Sequence, residues 1–297
     1  IEGRVALALR LVCGLETAAI ARLFVVPPAT MAARLTRAKK KIARSGIAYR
    51  VPEARELPGR LPAVLSVIYL LFTAGHTASS GDRLMQPELT SRAIDLATIM
   101  AHLMPEEPEV LGLYALLRLS DTRREARVDA QGRLVLLENQ DRSRWDAAKA
   151  REGFALVEAS LRRTRGRLPG RYALQAAIEA VHMDASSYGE TDWRQLLCLY
   201  NLLGEVAPSP LVDINRAVVA SKLSGPDVGL SILDDLAGWD GGKHYYLFAA
   251  ARADLLRRFR RFAEANAEYR RALALTDNAI EQAFLQDRIE ETRLPNS

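Results

Sequence analysis

Hydrophobic positions recur three and four residues apart along most of the chain, the spacing that gathers them on one face of an α-helix. Val5, Leu9 and Val12 form the first such face, and Gly14 is placed to end that helix. A second short helix follows, with Ala18, Ile20, Ala21 and Leu23 as its apolar surface. Pro27 and Pro28 break it and suit the opening of the next. The third helix is predicted from about Ala29 to Ser45, with Gly46 as its stop. Its Met31, Leu35, Ala38 and Ile42 make an apolar stripe. Arg34, Arg37, Lys41 and Arg44 make a cationic stripe about 100° away around the helix.

Residues 47–60 carry two prolines and a glycine and read as a linker. From Leu61 onward helix follows helix, near 61–76, 87–103, 108–120, 144–163, 170–183, 190–205, 210–223, 226–237, 244–258, 261–275 and 278–292. The exception is 124–140, where Gly132 between short β-prone runs predicts a small hairpin or loop. Near the end, Ala217, Gly229, Leu233 and Leu236 recur 36 residues later as Ala253, Ala265, Tyr269 and Ala272. Small residues at the first two positions let paired helices approach closely, the logic of tetratricopeptide-like repeats. The expected architecture is all-α: a helical unit over 1–50, a linker over 51–60 and a helical-repeat domain over 61–297.

The chain has 297 residues, 49% hydrophobic and 26% charged, the balance of a globular protein. Its longest apolar run, Val64–Phe72, falls far short of the roughly 20 residues of a membrane span, so no membrane partner is expected. Cys13 and Cys198 are too distant for a CxxC site and suit a reducing, cytoplasmic compartment. His76, His102, His182 and His244 are scattered without metal-ligand spacing. No cofactor and no nucleophile–base constellation is visible, so an enzyme is not expected. The chain opens on Ile1, not Met, and is read as part of a longer protein. Ile1–Arg4 (IEGR) is also a protease-site sequence used in tags, but the helical pattern runs through it into Val5.

Charge changes the picture more than composition does. Residues 1–50 hold ten basic residues and two acidic ones, a net of +8. The whole chain carries +5, so residues 51–297 sum to −3. Concentrated positive charge of this kind marks either an anionic partner such as nucleic acid or a solvated basic helix. Helix, short turn and basic helix at this spacing is a helix-turn-helix pattern. Its apolar stripe docks on the preceding helix, its N-terminal end reaches base edges, and its flanking cations neutralise phosphates.

Val26–Lys39 (VPPATMAARLTRAK) resembles the recognition helix of region 4 of extracytoplasmic-function RNA polymerase sigma factors, which reads hydrophobic-Pro-x-Gly-Thr-Val-Lys-Ser-Arg-Leu-x-Arg-Ala-Arg. Gly14–Ala21 (GLETAAIA) is similar to that family's Gly-Leu-Ser-Tyr-x-Glu-Ile-Ala. Leu61–Leu70, Ala78–Asp82, Asp141–Asp146, Arg252–Arg258 and Tyr269–Leu273 resemble the tetratricopeptide-like extension of one sub-group. The family's region 2 has no counterpart in this sequence. There are departures. Glu16 and Ala19 stand where a capping box is usual, a change that costs a helix start about 1 kcal/mol. Ala32 and Ala33 stand where Lys and Ser are usual.

The resemblance implies a transcription initiation factor. Region 4 of that family binds the promoter −35 element and the β-flap of core RNA polymerase, and the extension is expected to regulate it or hold a peptide or protein partner. The DNA contacts it implies are Pro28, Ala29, Thr30, Ala33, Arg34, Arg37, Lys40, Lys41 and Arg44, with the last three on phosphate. The competing reading is an interaction scaffold whose helix-turn-helix no longer binds DNA, favoured by the loss of Lys and Ser at positions 32 and 33. Three minor features stay open. Asp141–Asp146 is a binding surface or a set of helix caps. Gly81-Asp82 is an anion loop or a plain turn. Trp193, Trp239, Tyr245 and Tyr246 are core or groove aromatics.

Overall fold

The structure, a computed structural model, describes residues 2–45, 53–164 and 166–293. The protein is all-α. Among the described residues there are fourteen α-helices and two two-residue strands. The helices are α1 (Glu2–Leu11), α2 (Thr17–Leu23), α3 (Pro28–Ser45), α4 (Leu57–His76), α5 (Pro87–Leu103), α6 (Pro108–Thr122) and α7 (Ala147–Arg163), then α8 (Arg171–Asp184), α9 (Trp193–Val206), α10 (Pro210–Ser224), α11 (Pro226–Asp234), α12 (Tyr246–Arg258), α13 (Phe262–Leu273) and α14 (Ala279–Glu291). The periodicity locates each of these within a few residues. Gly46, the expected stop of α3, and the first part of the expected linker lie outside the described residues.

The chain forms two compact units, residues 1–79 with 85–97, and residues 80–84 with 98–297. This division follows contacts and differs from the one drawn between sequence motifs at 51–60. The second half of that expected linker is not loop. Ala54–Glu56 is a 3-10 turn, and α4 starts at Leu57. Pro58 sits in the first turn of α4, where its missing N–H costs no hydrogen bond. α4 runs for 20 residues and, by length and composition, is the one helix among those described that could cross a membrane. Counting apolar residues missed it, because Arg60 and Pro62 precede the Val64–Phe72 run and Thr73 and His76 follow it within the same helix. One of its faces is buried, through Leu65, Ile68, Leu71 and Phe72. α4 packs on α1 and α2, whose Leu9 and Ile20 are fully buried.

In the second unit α6 packs on α7 and α8, and the helices from α8 to α14 pack largely on their chain neighbours. Local polar groups set where they start and stop. Asp146 accepts from the backbone N–H groups of Ala148 and Lys149 and starts α7. Glu109 does the same for α8, through Tyr172 and Ala173 at 3.1 Å each. Arg142 donates to the carbonyls of His182 (2.9 Å) and Ala185 (2.6 Å) at the end of α8 and stacks over Trp145. The Asp141–Asp146 run is therefore a set of helix caps. Ser80–Gly81 pairs in parallel with Asp277–Asn278, and the buried Asn278 donates to the Arg83 carbonyl while capping α14. Over 124–140 the strand content is one antiparallel bridge, Val128 to Leu134, around Gly132. Trp239 packs edge-on against Tyr245 and Phe248.

The small residues expected at helix crossings are all buried: Ala217, Gly229, Ala253 and Ala265. A β-carbon on Gly229 would lie 2.8 Å from the Ala217 carbonyl oxygen and 2.9 Å from the Ser221 β-carbon, so α10 and α11 approach at backbone distance.

Burial depresses the His182 imidazole below its ordinary value, with Glu179 pulling the other way. The unfolded chain takes up a proton near pH 6.5 while the folded imidazole resists it, so stability is lost as pH falls below 6.5. Denaturant titrations at pH 7.5 and 5.5 are expected to show that loss, and His182→Gln is expected to shrink it. An equal loss in the variant would assign the effect to other groups.

Candidate nucleic-acid interface

The first unit displays α3 as follows. Gly14, at φ +76°, ends the turn after α1, and Leu15 returns to the core. α2 begins at Thr17 with Glu16 as its cap residue, and no side-chain hydrogen bond closes that end. Residues 24–27 make the turn into α3. Val25 sits in the left-handed region at φ 51°, an uncommon and strained setting for a β-branched residue. The Val26 N–H closes the turn onto the Ala21 carbonyl at 3.0 Å. α2 and α3 then meet at 104°.

Met31 is fully buried and Leu35 is 5% exposed, so the first half of the apolar stripe docks inward. The second half does not follow the expectation. Ile42 is 49% exposed. α3 is long, 18 residues or about 27 Å, and the buried positions recorded on it, Met31 and Leu35, lie in its first half. Val12 likewise leaves its expected face. α1 ends at Leu11, and Val12 falls in the turn, 68% exposed.

Pro28, Ala29, Thr30 and Ala33 are exposed along the start of α3, and Arg37, Lys40, Lys41 and Arg44 are exposed further along it. Those four cations line a single open groove on the helix surface. They occupy positions i, i+3, i+4 and i+7 and so share one face. Arg34 stands apart. It is half-buried, and its guanidinium donates to Glu2 of α1 at 3.0 Å. Sequence spacing placed Arg34 in the cationic stripe, but nothing local signalled its pairing with a residue 32 positions away. Arg22 on α2 also turns inward, donating to the Ser79 carbonyl at 2.8 Å. Lys39 is exposed. Among the described residues no group of three His, Cys, Asp or Glu could hold a metal ion. His102 is occupied with the Thr98 carbonyl of its own helix.

A family model described as "Family of unknown function (DUF6596)" matches residues 60–161. A protein named "Uncharacterized protein R00370", from Rhizobium meliloti (strain 1021), is 40% identical over 287 residues, which is 97% of this chain and 67% of the relative. The chain belongs to the family of that Rhizobium protein. No solved structure matches it. The family-of-unknown-function match begins after α3, so it bears on α4 to α7 and not on the cationic face.

Proposed function

We propose that the first unit is a DNA-binding helix-turn-helix and that the chain carries region 4 and the C-terminal extension of an extracytoplasmic-function sigma factor. In this reading α3 enters the major groove of the promoter −35 element, and the unit also contacts the β-flap of core RNA polymerase. One observation carries it: a four-residue turn sets α3 at 104° to α2, with Met31 and Leu35 docked inward and an unshielded cationic groove facing out. Recognition helices are held near this angle, roughly 90–120°, by turns of this length. Pro28, Ala29, Thr30 and Ala33 would stand nearest the bases. Arg37, Lys40, Lys41 and Arg44 would neutralise phosphates. Arg34 would reach DNA only by leaving Glu2.

The second unit is read as a tetratricopeptide-like helical array that regulates the first or holds a peptide or protein partner. The backbone-distance crossing of α10 and α11 at Gly229 supports that reading, as does the equivalent small-residue pair Ala253 and Ala265 on α12 and α13. A scaffold that no longer binds DNA is the second reading. The Glu2–Arg34 pair and the alanines at 32 and 33 favour it.

Run-off transcription with core RNA polymerase, on the promoter of the protein's own gene, tests the proposal. The natural full-length protein is expected to direct a transcript that weakens with Arg34→Ala, Arg37→Ala. No transcript, together with no co-purification of core polymerase, would overturn the proposal and favour the scaffold reading.

A further inference from the structure

Within the irregular 124–140 segment lies the apolar run Leu134–Leu137, in which Leu134 pairs with Val128 in one antiparallel bridge and Leu137 opens a 3-10 turn. Its leucines have a destination within the second unit. Leu134 and Leu136, with Leu247 and Ala250 of α12 and Phe284 and Leu285 of α14, line a half-enclosed cavity of about 240 Å³. The rest of this cluster is packed through residues such as Leu233, Ala249, Ala253 and Leu255, each at most 1% exposed. Beside this close packing, the cavity is a recess lined mainly by apolar side chains, the usual setting of a small-molecule site.

The polar groups around the cavity make few demands on an occupant. Glu281 is 3% exposed, and its carboxylate accepts from the Tyr246 and Thr276 hydroxyls. The buried Arg127 guanidinium lies close enough to the Glu281 carboxylate to feel its charge. Asp254 is paired with Arg257 at 2.6 Å and Arg288 with Glu291 at 2.6 Å. Arg288 also lies over the Phe284 ring at 5.2 Å. Tyr246 and Tyr269 line the space as well. With these charges answered inside the wall, a charged occupant would lose its hydration without gaining a partner. The volume falls just below the roughly 300–1,000 Å³ of drug-sized sites, which limits the occupant to a single small ring system or a short chain.

We propose that this cavity is a binding site for a small, uncharged, apolar molecule, with the 124–140 segment as its cover. The proposal does not rest on DNA binding. Three matched probes test it on the full chain by calorimetric titration and thermal unfolding: indole, indole-3-acetate and tryptamine. Indole is expected to bind saturably at one site and to raise the unfolding temperature by about 3 °C at ten times its dissociation constant. Its anionic and cationic relatives are expected to bind at least about tenfold more weakly, the loss one desolvated, unpaired charge imposes. Ala250→Phe fills the cavity from α12, and Leu134→Trp fills it from the cover. Each should cut indole affinity at least about tenfold in a chain that still melts cooperatively. The comparison among probes stands in the unaltered chain whichever variant folds. No saturable indole binding, equal binding of the charged relatives, or full affinity in a folded cavity-filling variant would overturn the proposal.

Discussion

Replacing Arg37 and Lys41 together by alanine is expected to weaken binding to promoter DNA by about 10- to 100-fold, nearly equally across sequences. The four groove cations are expected to release about four counterions. The logarithm of the binding constant should then fall with the logarithm of salt concentration at a slope near −4. Removing two cations takes the slope to about −2. Filter binding or fluorescence anisotropy across a salt series reads both quantities at once. The substitution also guards against a trivial explanation. Arg37, Lys40, Lys41 and Arg44 are exposed like charges on one helix face. Such pairs repel at i, i+4 by a few tenths of a kcal/mol, and alanine is the better helix former. The variant should melt at the same temperature or slightly higher, so lost DNA binding would not reflect lost folding. A slope that stays near −4 would place the phosphate contacts elsewhere, and no salt-dependent binding by the parent chain would favour the scaffold.

Gly112→Ala is expected to destabilise the second unit by about 1–3 kcal/mol, lowering its unfolding temperature by roughly 3–10 °C. Gly112 lies inside α6, where helix propensity alone would make alanine better by about 1 kcal/mol. Tertiary structure reverses that sign. A β-carbon there would stand 2.6 Å from the Ala173 nitrogen, 2.8 Å from its α-carbon and 3.0 Å from the Tyr172 carbonyl carbon. All three are backbone atoms at the start of α8, the same turn whose N–H groups Glu109 caps. No rotamer change relieves the contact, so α6 and α8 must move apart. Gly204, inside α9, has nothing within 4 Å of an added β-carbon. Gly204→Ala should therefore follow propensity and raise the unfolding temperature slightly. Thermal denaturation of both variants separates crossing distance from intrinsic helix preference, and equal behaviour would remove the argument from backbone approach.

What the sequence determined by itself was local. Period-3.6 apolar spacing, proline at helix starts and glycine or acidic residues at helix ends depend on neighbours within a turn or two, and these located the helices. The same local rules put Pro28 at the start of α3, withheld a side-chain cap from α2, and set Arg37, Lys41 and Arg44 on one face. For the Asp141–Asp146 run the sequence left a binding surface and helix caps open; the caps at Asp141 and Asp146 are local, but Arg142 closes α8 some 40 residues away.

Tertiary structure decided whatever depends on what lies opposite a residue. Ile42 belongs to the apolar stripe by spacing yet is half exposed, whereas Met31 and Leu35 on the same stripe are buried. Arg34 belongs to the cationic stripe yet is held by Glu2, an ion pair across 32 residues that no periodicity encodes. α4 carries the apolar spacing of any helix, but only packing assigned it to the core of the first unit. The β-prone runs around Gly132 keep one antiparallel bridge, Val128 to Leu134, but only the tertiary structure set Leu134 and Leu136 at the rim of a cavity with α12 and α14. A hydrophobic period states that a face will be buried. What buries it, and how closely, follows from side-chain volumes that meet only after the chain has folded.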